Sequence, residues 1–424
     1  MKKIGLRQFL IFWISQSVSQ LGSAMTSFAM TIWIYKETNS AFAVSMITFC
    51  TYLPMVIASF FSGAYIDKHD KKRIMLWSDT IAAVCTCVLW GLVFSDALQV
   101  WHVYVINIVS GFMNAFQMPT TTVVVGLIVP EDQYDKASGM NSFSNSLIAI
   151  VMPMMATFFV SFWGIASVII FDLLTFLFAA IFLLFFIKIP KSEPDKSCGD
   201  GFLDNILAGL DFLKEQRGIL NLIISMAVLN FFSNITYENI LSPMILARTN
   251  GDEMILGVVS GVLGLGGLVG GIIVSLKSFR GRKIKMIYLC AGISFLLGDF
   301  LMGIGHGIWS WSIAALAASV PIPFIMAQQN VILYQRVPQA IQGRIFAVRN
   351  ALQYCTIPVG LIIGGIFADY IFEPLMQSGK CGILNGILGN GSGSGMALMF
   401  IATSILGLLS SILGYTNKEI RSLE

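Results

Sequence analysis

Carboxylates and amides set inside long apolar runs are the residues of this chain with chemistry to offer. Five acids lie there: Asp79, Asp172, Glu238, Asp299 and, toward the end of its run, Asp369. An ionisable side chain in such a setting is costly unless it pairs, meets water or exchanges a proton, so each is a functional candidate by default. Glu238 leads, because it continues a face begun by Asn230 and Asn234, has Tyr237 beside it and precedes Pro243 by five residues. Reversible protonation is one reading of Glu238 and a structural hydrogen bond is the other. Asp172 and Asp299 are further proton-coupling candidates, on runs without a polar stripe.

The amides fall into stripes on four runs. The first run carries Gln16, Gln20, Ser23 and Ser27, the fourth Asn107, Ser110, Asn114 and Gln117, the seventh Asn230, Asn234 and Glu238, and the tenth Gln328, Gln329 and Asn330. Most steps are three, four or seven residues, which places them on one helix face. A polar face in lipid is unfavourable unless it meets polar groups or water, so the four faces are expected to line a substrate cavity. Each amide taken singly also fits a plain interhelical hydrogen bond.

The elements that must position these residues are twelve apolar runs. They lie at roughly 8–34, 42–66, 74–95, 101–128, 138–162, 164–187, 219–246, 254–276, 284–305, 308–335, 345–372 and 396–416. With 424 residues, 56% hydrophobic and 12% charged, the chain has too little polar surface for a soluble globule. Runs of this length predict spanning helices, and the short alternating segments of a barrel are missing. The fold class expected is an all-α membrane protein of twelve transmembrane helices in two pseudo-symmetric six-helix bundles.

That division rests on an internal echo. Val129-Pro130 leading to Lys136 returns as Val337-Pro338 leading to Arg344, and Gly63 returns as Gly271, each 208 residues on. The expected bundles are 1–187 and 219–424, joined by a linker at 188–218. In the linker, Leu203, Ile206, Leu207, Leu210 and Leu213 recur at helical spacing, which predicts a short amphipathic helix on the membrane surface. The segment 373–395, with Gly389, Gly391, Gly393 and Gly395, reads as a flexible outer loop.

Lys and Arg crowd one side: the N-terminal Lys2, Lys3 and Arg7, the 68–73 cluster, the linker, residues 277–285 and the C-terminal Lys418 and Arg421. The other side holds Lys36, Arg248 and Lys380. Positive loops stay in the cytoplasm, so both termini are expected there, in the cell (plasma) membrane. The net charge of +3 is then topology, with no nucleic-acid partner implied. The first run is too long for a cleaved leader and is read as the first span. His69, His102 and His306 are scattered and the seven cysteines form no framework, so no metal site, disulfide or cofactor is expected. No phosphate-binding loop occurs, and no nucleophile–base–oxyanion set, so neither an ATP-driven pump nor an enzyme is indicated. The glycines from Gly261 to Gly271 sit in a span, where close helix packing is the simpler reading.

The stretch from Gly63 through Asp67, Lys68, Lys71 and Lys72 to Arg73 resembles the loop signature of the major facilitator superfamily, and the likeness extends over the whole chain. The resemblance implies a conformational switch built from Gly63, Asp67, Lys71, Lys72, Arg73, Asp79 and Arg344, with Asp67 engaging the start of the eleventh helix. Phe116 to Pro119, Asp172 to Phe176, Gly393 to Phe400 and Glu419 to Glu424 resemble the macrolide-efflux branch of drug:proton antiporters. Two positions depart from that pattern: Ser110 stands where many antiporters carry arginine, and the helix-5 motif is reduced to Pro153.

These readings together predict a monomeric secondary transporter. It would export hydrophobic or amphiphilic small molecules, with protons as the coupling ion, by rocking one bundle against the other. Its substrate-cavity residues would be Gln16, Gln20, Asn107, Asn114, Gln117, Asn230, Asn234, Tyr237, Glu238, Gln329 and Asn330. Alternatives are a dedicated exporter of a siderophore, peptide or lysolipid, and a non-transporting membrane sensor or scaffold on the same frame.

Overall fold

The computed structural model describes residues 6–129, 134–187, 212–276, 282–337, 342–379 and 382–424. Among these there is no strand, and twelve long helices follow one another. They are α1 (Leu6–Thr38), α2 (Ala41–Lys68), α3 (Lys71–Phe94), α4 (Val100–Ile128), α5 (Tyr134–Trp163), α6 (Ile165–Phe185), α7 (Arg217–Arg248), α8 (Glu253–Leu276), α9 (Lys283–Ile304), α10 (308–336), α11 (342–377) and α12 (Ser394–Thr416). Ten are both long and apolar enough to cross a membrane. The remaining two, α1 and α4, have the length, and it is their polar stripes that lower the average hydropathy. The linker residues 188–211, where most of the expected amphipathic helix falls, lie outside the described residues.

The helices are inside-out relative to those of a soluble protein. On α6, Leu174, Leu177, Ile181 and Leu184 point outward, while Asp172 and Thr175 are buried on the opposite face with Val168, Ala179 and Leu183. Lipid is as apolar as a side-chain core, so polar groups are driven inward to one another while apolar ones can face either way.

Two compact units result, one of residues 1–37 with 46–198, the other of 38–45 with 199–424. In the first, α3 packs on α4 and α6, and Phe9, Phe12, Met75, Val124, Ile128 and Leu183 form a core. In the second, α7 packs on α11, α8 on α10, and α9 on α10 and α12. Glycines permit the tightest of these approaches: a Cβ at Gly270 would lie 2.3 Å from Val320 O, and one at Gly266 2.0 Å from Ser319 Oγ. Gly267 meets open space instead, so only part of the glycine run is a packing seam.

Local chemistry sets the helix ends. Asp70 caps α3, accepting from Lys72 N at 2.9 Å. Lys72 Nζ donates to Leu184 O at 3.0 Å and Ile187 O at 2.9 Å, a cation at the negative end of α6. Asn39, with φ of 49°, makes the left-handed turn between α1 and α2 that asparagine tolerates better than most residues. At Val320–Pro321 α10 is interrupted, because proline supplies no N–H to the ladder.

The segment expected to be a flexible outer loop is more ordered than its glycines suggest. Its first residues, Glu373–Gln377, continue α11, and Ile383–Leu388 forms a short helix. Arg248 holds this region, donating to Leu388 O at 2.7 Å and to Gly305 O at 2.8 Å. Glu373 accepts from Met396 N at 3.0 Å, at the start of α12.

Candidate functional site

The three acids that the sequence places inside apolar runs of the second unit share an unusual backbone setting. Glu238 sits in a π-helical turn of α7 (Asn234–Ile240), Asp299 ends one in α9 (Ser294–Asp299), and Asp369 lies in one of α11 (Phe367–Phe372). Such turns, with i→i+5 bonds, loosen the ladder locally and concentrate at functional sites. No π-turn occurs among the described residues of the first unit.

On α7, Asn230 and Glu238 are exposed and Asn234 and Tyr237 half-buried. Tyr237 packs edge-on against Phe400, ring centroids 5.5 Å apart. Its hydroxyl reaches toward Asp299, and neither Tyr237 Oη nor Asp299 Oδ1 closes a hydrogen bond of ordinary geometry. Asp299 is 1% exposed, and its other oxygen accepts from Thr403 Oγ1 at 2.9 Å. The structure therefore brings Tyr237 and Asp299 together, with Thr403 of α12 as a partner outside the predicted set.

Asp172 occupies the matching place in the first unit. It lies where α6 meets α1 and α3, as Asp299 lies where α9 meets α7 and α12. Ser23 Oγ donates to Asp172 Oδ1 at 3.0 Å and Thr86 Oγ1 to Oδ2 at 3.4 Å. The acid is on the sixth helix of one unit and on the third of the other, so no fixed sequence offset links the two carboxylates.

Other predicted residues have structural partners. Asp79 accepts from Gln117 Nε2 at 2.7 Å, joining α3 to α4. Asn107 accepts from Thr51 Oγ1 at 2.9 Å and donates to Val103 O at 2.9 Å. Asn330 accepts from Arg349 Nη1 at 2.5 Å, which puts an arginine of α11 beside the α10 stripe. Gln329 is 5% exposed with Nε2 unpartnered, Gln16 is half-buried with the same atom unpartnered, Asn114 is half-buried, and Gln20 is exposed. Of the switch residues, Lys71 is buried and Arg73 exposed at the start of α3. The side chains of Gly63, Asp67 and Arg344 fall outside the described residues.

One residue was missed, and one of the five acids has partners the sequence did not show. Asn239, one position beyond Glu238 and 1% exposed, donates to Leu361 O at 2.7 Å and accepts from Ser45 Oγ. Asp369 receives Ala41 N and Phe42 N at 3.0 Å each, together with the Ser40 hydroxyl, so it extends in trans the cap that Ser40 Oγ begins by accepting from Ala43 N at 3.0 Å. Asn239 was legible as a buried amide, but it lies off the four-residue stripe that singled out its neighbours.

Comparison with known proteins agrees with this frame. Macrolide efflux protein A of Streptococcus pyogenes is 28% identical over 369 residues, 86% of this chain and 90% of that protein. The protein of the same name from Enterococcus faecalis is 27% identical over 328 residues, 76% of this chain and 100% of its own. Among solved structures, a bacterial homologue of the iron transporter ferroportin in its inward-facing state superposes with a TM-score of 0.69 at 12% identity, covering 97% of this chain and 99% of that one. That likeness carries the fold alone. The model of the Major Facilitator Superfamily matches residues 12–361, and the chain belongs to this family of membrane transporters.

Proposed function

We propose that this protein exports hydrophobic or amphiphilic small molecules, of the macrolide or drug type, by proton-coupled alternating access. The observation that carries the reading is Glu238: an accessible carboxylate in the middle of a span, in a π-turn beside Asn234 and Tyr237. Macrolide efflux in the names of relatives at 28% and 27% identity supports the substrate class. The polar faces of α1, α4, α7 and α10 serve as substrate-contacting surfaces, that of α10 being the most buried of the four, and Glu238, with Asp299 behind Tyr237, carries the proton. The charge asymmetry of the loops supports cytoplasmic termini in the plasma membrane, and the 208-residue echo supports two six-helix bundles about the 188–218 linker, in a protein that works as a monomer.

Retention of macrolides and fluorescent amphiphiles is measured in cells making the protein or Glu238→Gln, with and without a proton ionophore. Ionophore-sensitive efflux that is lost in the variant at equal membrane expression is the expected result. Efflux indifferent to both would overturn the coupling assignment, and absence of efflux for the whole panel would favour a dedicated natural-product or lipid exporter.

A further inference from the structure

Asp172 is surrounded by more oxygen than a structural carboxylate needs. Ser23 and Thr86 donate to its two oxygens. Thr26 Oγ1 turns to the same carboxylate but closes no hydrogen bond of ordinary geometry, although the residue is only 8% exposed. A buried hydroxyl left unpaired beside an acid is unfavourable unless something further engages it. The backbone of α1 is also drawn in here. A Cβ at Gly22 would clash with Thr175 Oγ1 and stand 3.1 Å from Asp172 Oδ1, so only glycine lets α1 come this close to the carboxylate of α6.

Charge decides what fits. Burial opposes ionisation of the carboxylate and the hydroxyl donors offset part of that cost; to carry its charge in a span it requires a positive partner. From residue 8 to residue 187 the basic side chains are Lys36, Lys68, Lys71, Lys72, Arg73 and Lys136, all at or near helix ends and none in the middle of a span. A divalent ion would leave one uncompensated positive charge, whereas a monovalent cation neutralises the group. Two carboxylate and three hydroxyl oxygens are the hard donors that alkali and alkaline-earth ions prefer. Entry is available through Ser23, which is exposed on the polar stripe of α1 while Asp172 itself is 4% exposed.

We propose that Asp172, with the hydroxyls of Ser23, Thr26 and Thr86, forms a binding site for a single sodium ion within the first unit. Ser23 is the mouth of the site, Thr26 the further hydroxyl ligand, and Gly22 the residue that lets α1 bring both to the carboxylate. The site is separate from Glu238 and does not depend on which molecule is exported.

The test is equilibrium binding of radioactive sodium to the purified full-length protein in lipid nanodiscs, at constant ionic strength held with choline. Unfolding midpoints in sodium, potassium and choline chloride are measured alongside. Saturable binding of about one ion per chain, a sodium-specific rise in the midpoint, loss of both in Asp172→Asn, and roughly tenfold or greater weakening in Thr26→Val are expected. Should Asp172→Asn fail to fold, Thr26→Val and Ser23→Ala carry the same comparison. No saturable binding to the unaltered protein overturns the proposal and leaves Asp172 a protonated structural acid. Binding that survives in all three variants overturns it by placing the ion elsewhere.

Discussion

Asp369 accepts a hydrogen bond from Ala41 N at 3.0 Å, across 328 residues of sequence, and so closes the N-terminus of a helix to which it does not belong. The dipole of α2 and its orphan N–H groups both favour an anion there. Replacing Asp369 with alanine should destabilise the protein by about 1 to 2 kcal/mol, the usual cost of a lost cap. It should also accelerate deuterium exchange at the amides of Ala41 and Phe42, and unchanged exchange at both would show that the cap is idle.

Thr403→Val removes a donor of nearly the same shape and leaves Asp299 Oδ2 without a partner in a buried setting. A loss of roughly 1 to 3 kcal/mol is expected from an orphaned buried acceptor. Combined with Asp299→Leu the penalty should shrink, because no polar group is then left unpaired. Thermal unfolding of the two single variants and the double variant checks this, and strictly additive effects would refute the coupling.

Gly270→Ala would press a methyl group against Val320 O, 2.3 Å from the ideal Cβ, whereas Gly267→Ala enters open space. The first should cost about 1 to 3 kcal/mol through forced separation of α8 and α10. The second should be close to neutral. Equal midpoints for the two variants would remove the packing argument.

Arg248 donates to three carbonyls, at Gly303, Gly305 and Leu388. Lysine has the charge without the planar fork, so Arg248→Lys should not rescue the fold of this region. Limited proteolysis between residues 378 and 393 is the readout, and the variant should be cut faster than the unaltered chain. Identical cleavage would mean that the segment is ordered without the arginine.

The frame was legible because length and apolarity decide a span wherever lipid is the solvent. Even α1 and α4, whose stripes lower their hydropathy, were placed within a few residues of their observed ends. Partners were less legible. Asp172 and Asp299 looked isolated in sequence, since the hydroxyls that meet them come from Ser23, Thr86 and Thr403 on other helices. Gln117 read as a cavity amide and is held by Asp79, a pairing set by the closeness of α3 and α4. The π-turns left no signal, because an i→i+5 bond arises from tertiary packing and not from the type of any one residue. Asn239 lies in such a turn, one position off the stripe of Asn230, Asn234 and Glu238, and its partners Ser45 and Leu361 come from other helices.

The widened turn at Asn234–Ile240 amounts to a one-residue insertion accommodated inside a helix. Deleting one residue there would restore regular winding and leave everything outward of it facing as before, because the widened turn already absorbs the extra residue. Arg248, eight residues beyond Ile240, would keep the carbonyls of Gly303 and Gly305, and the end of α7 its attachment to α9. The length of this short stretch is therefore under looser constraint than that of the regular turns beyond it: a single-codon deletion between Leu241 and Arg248 would rotate the arginine by about 100°, off its carbonyls.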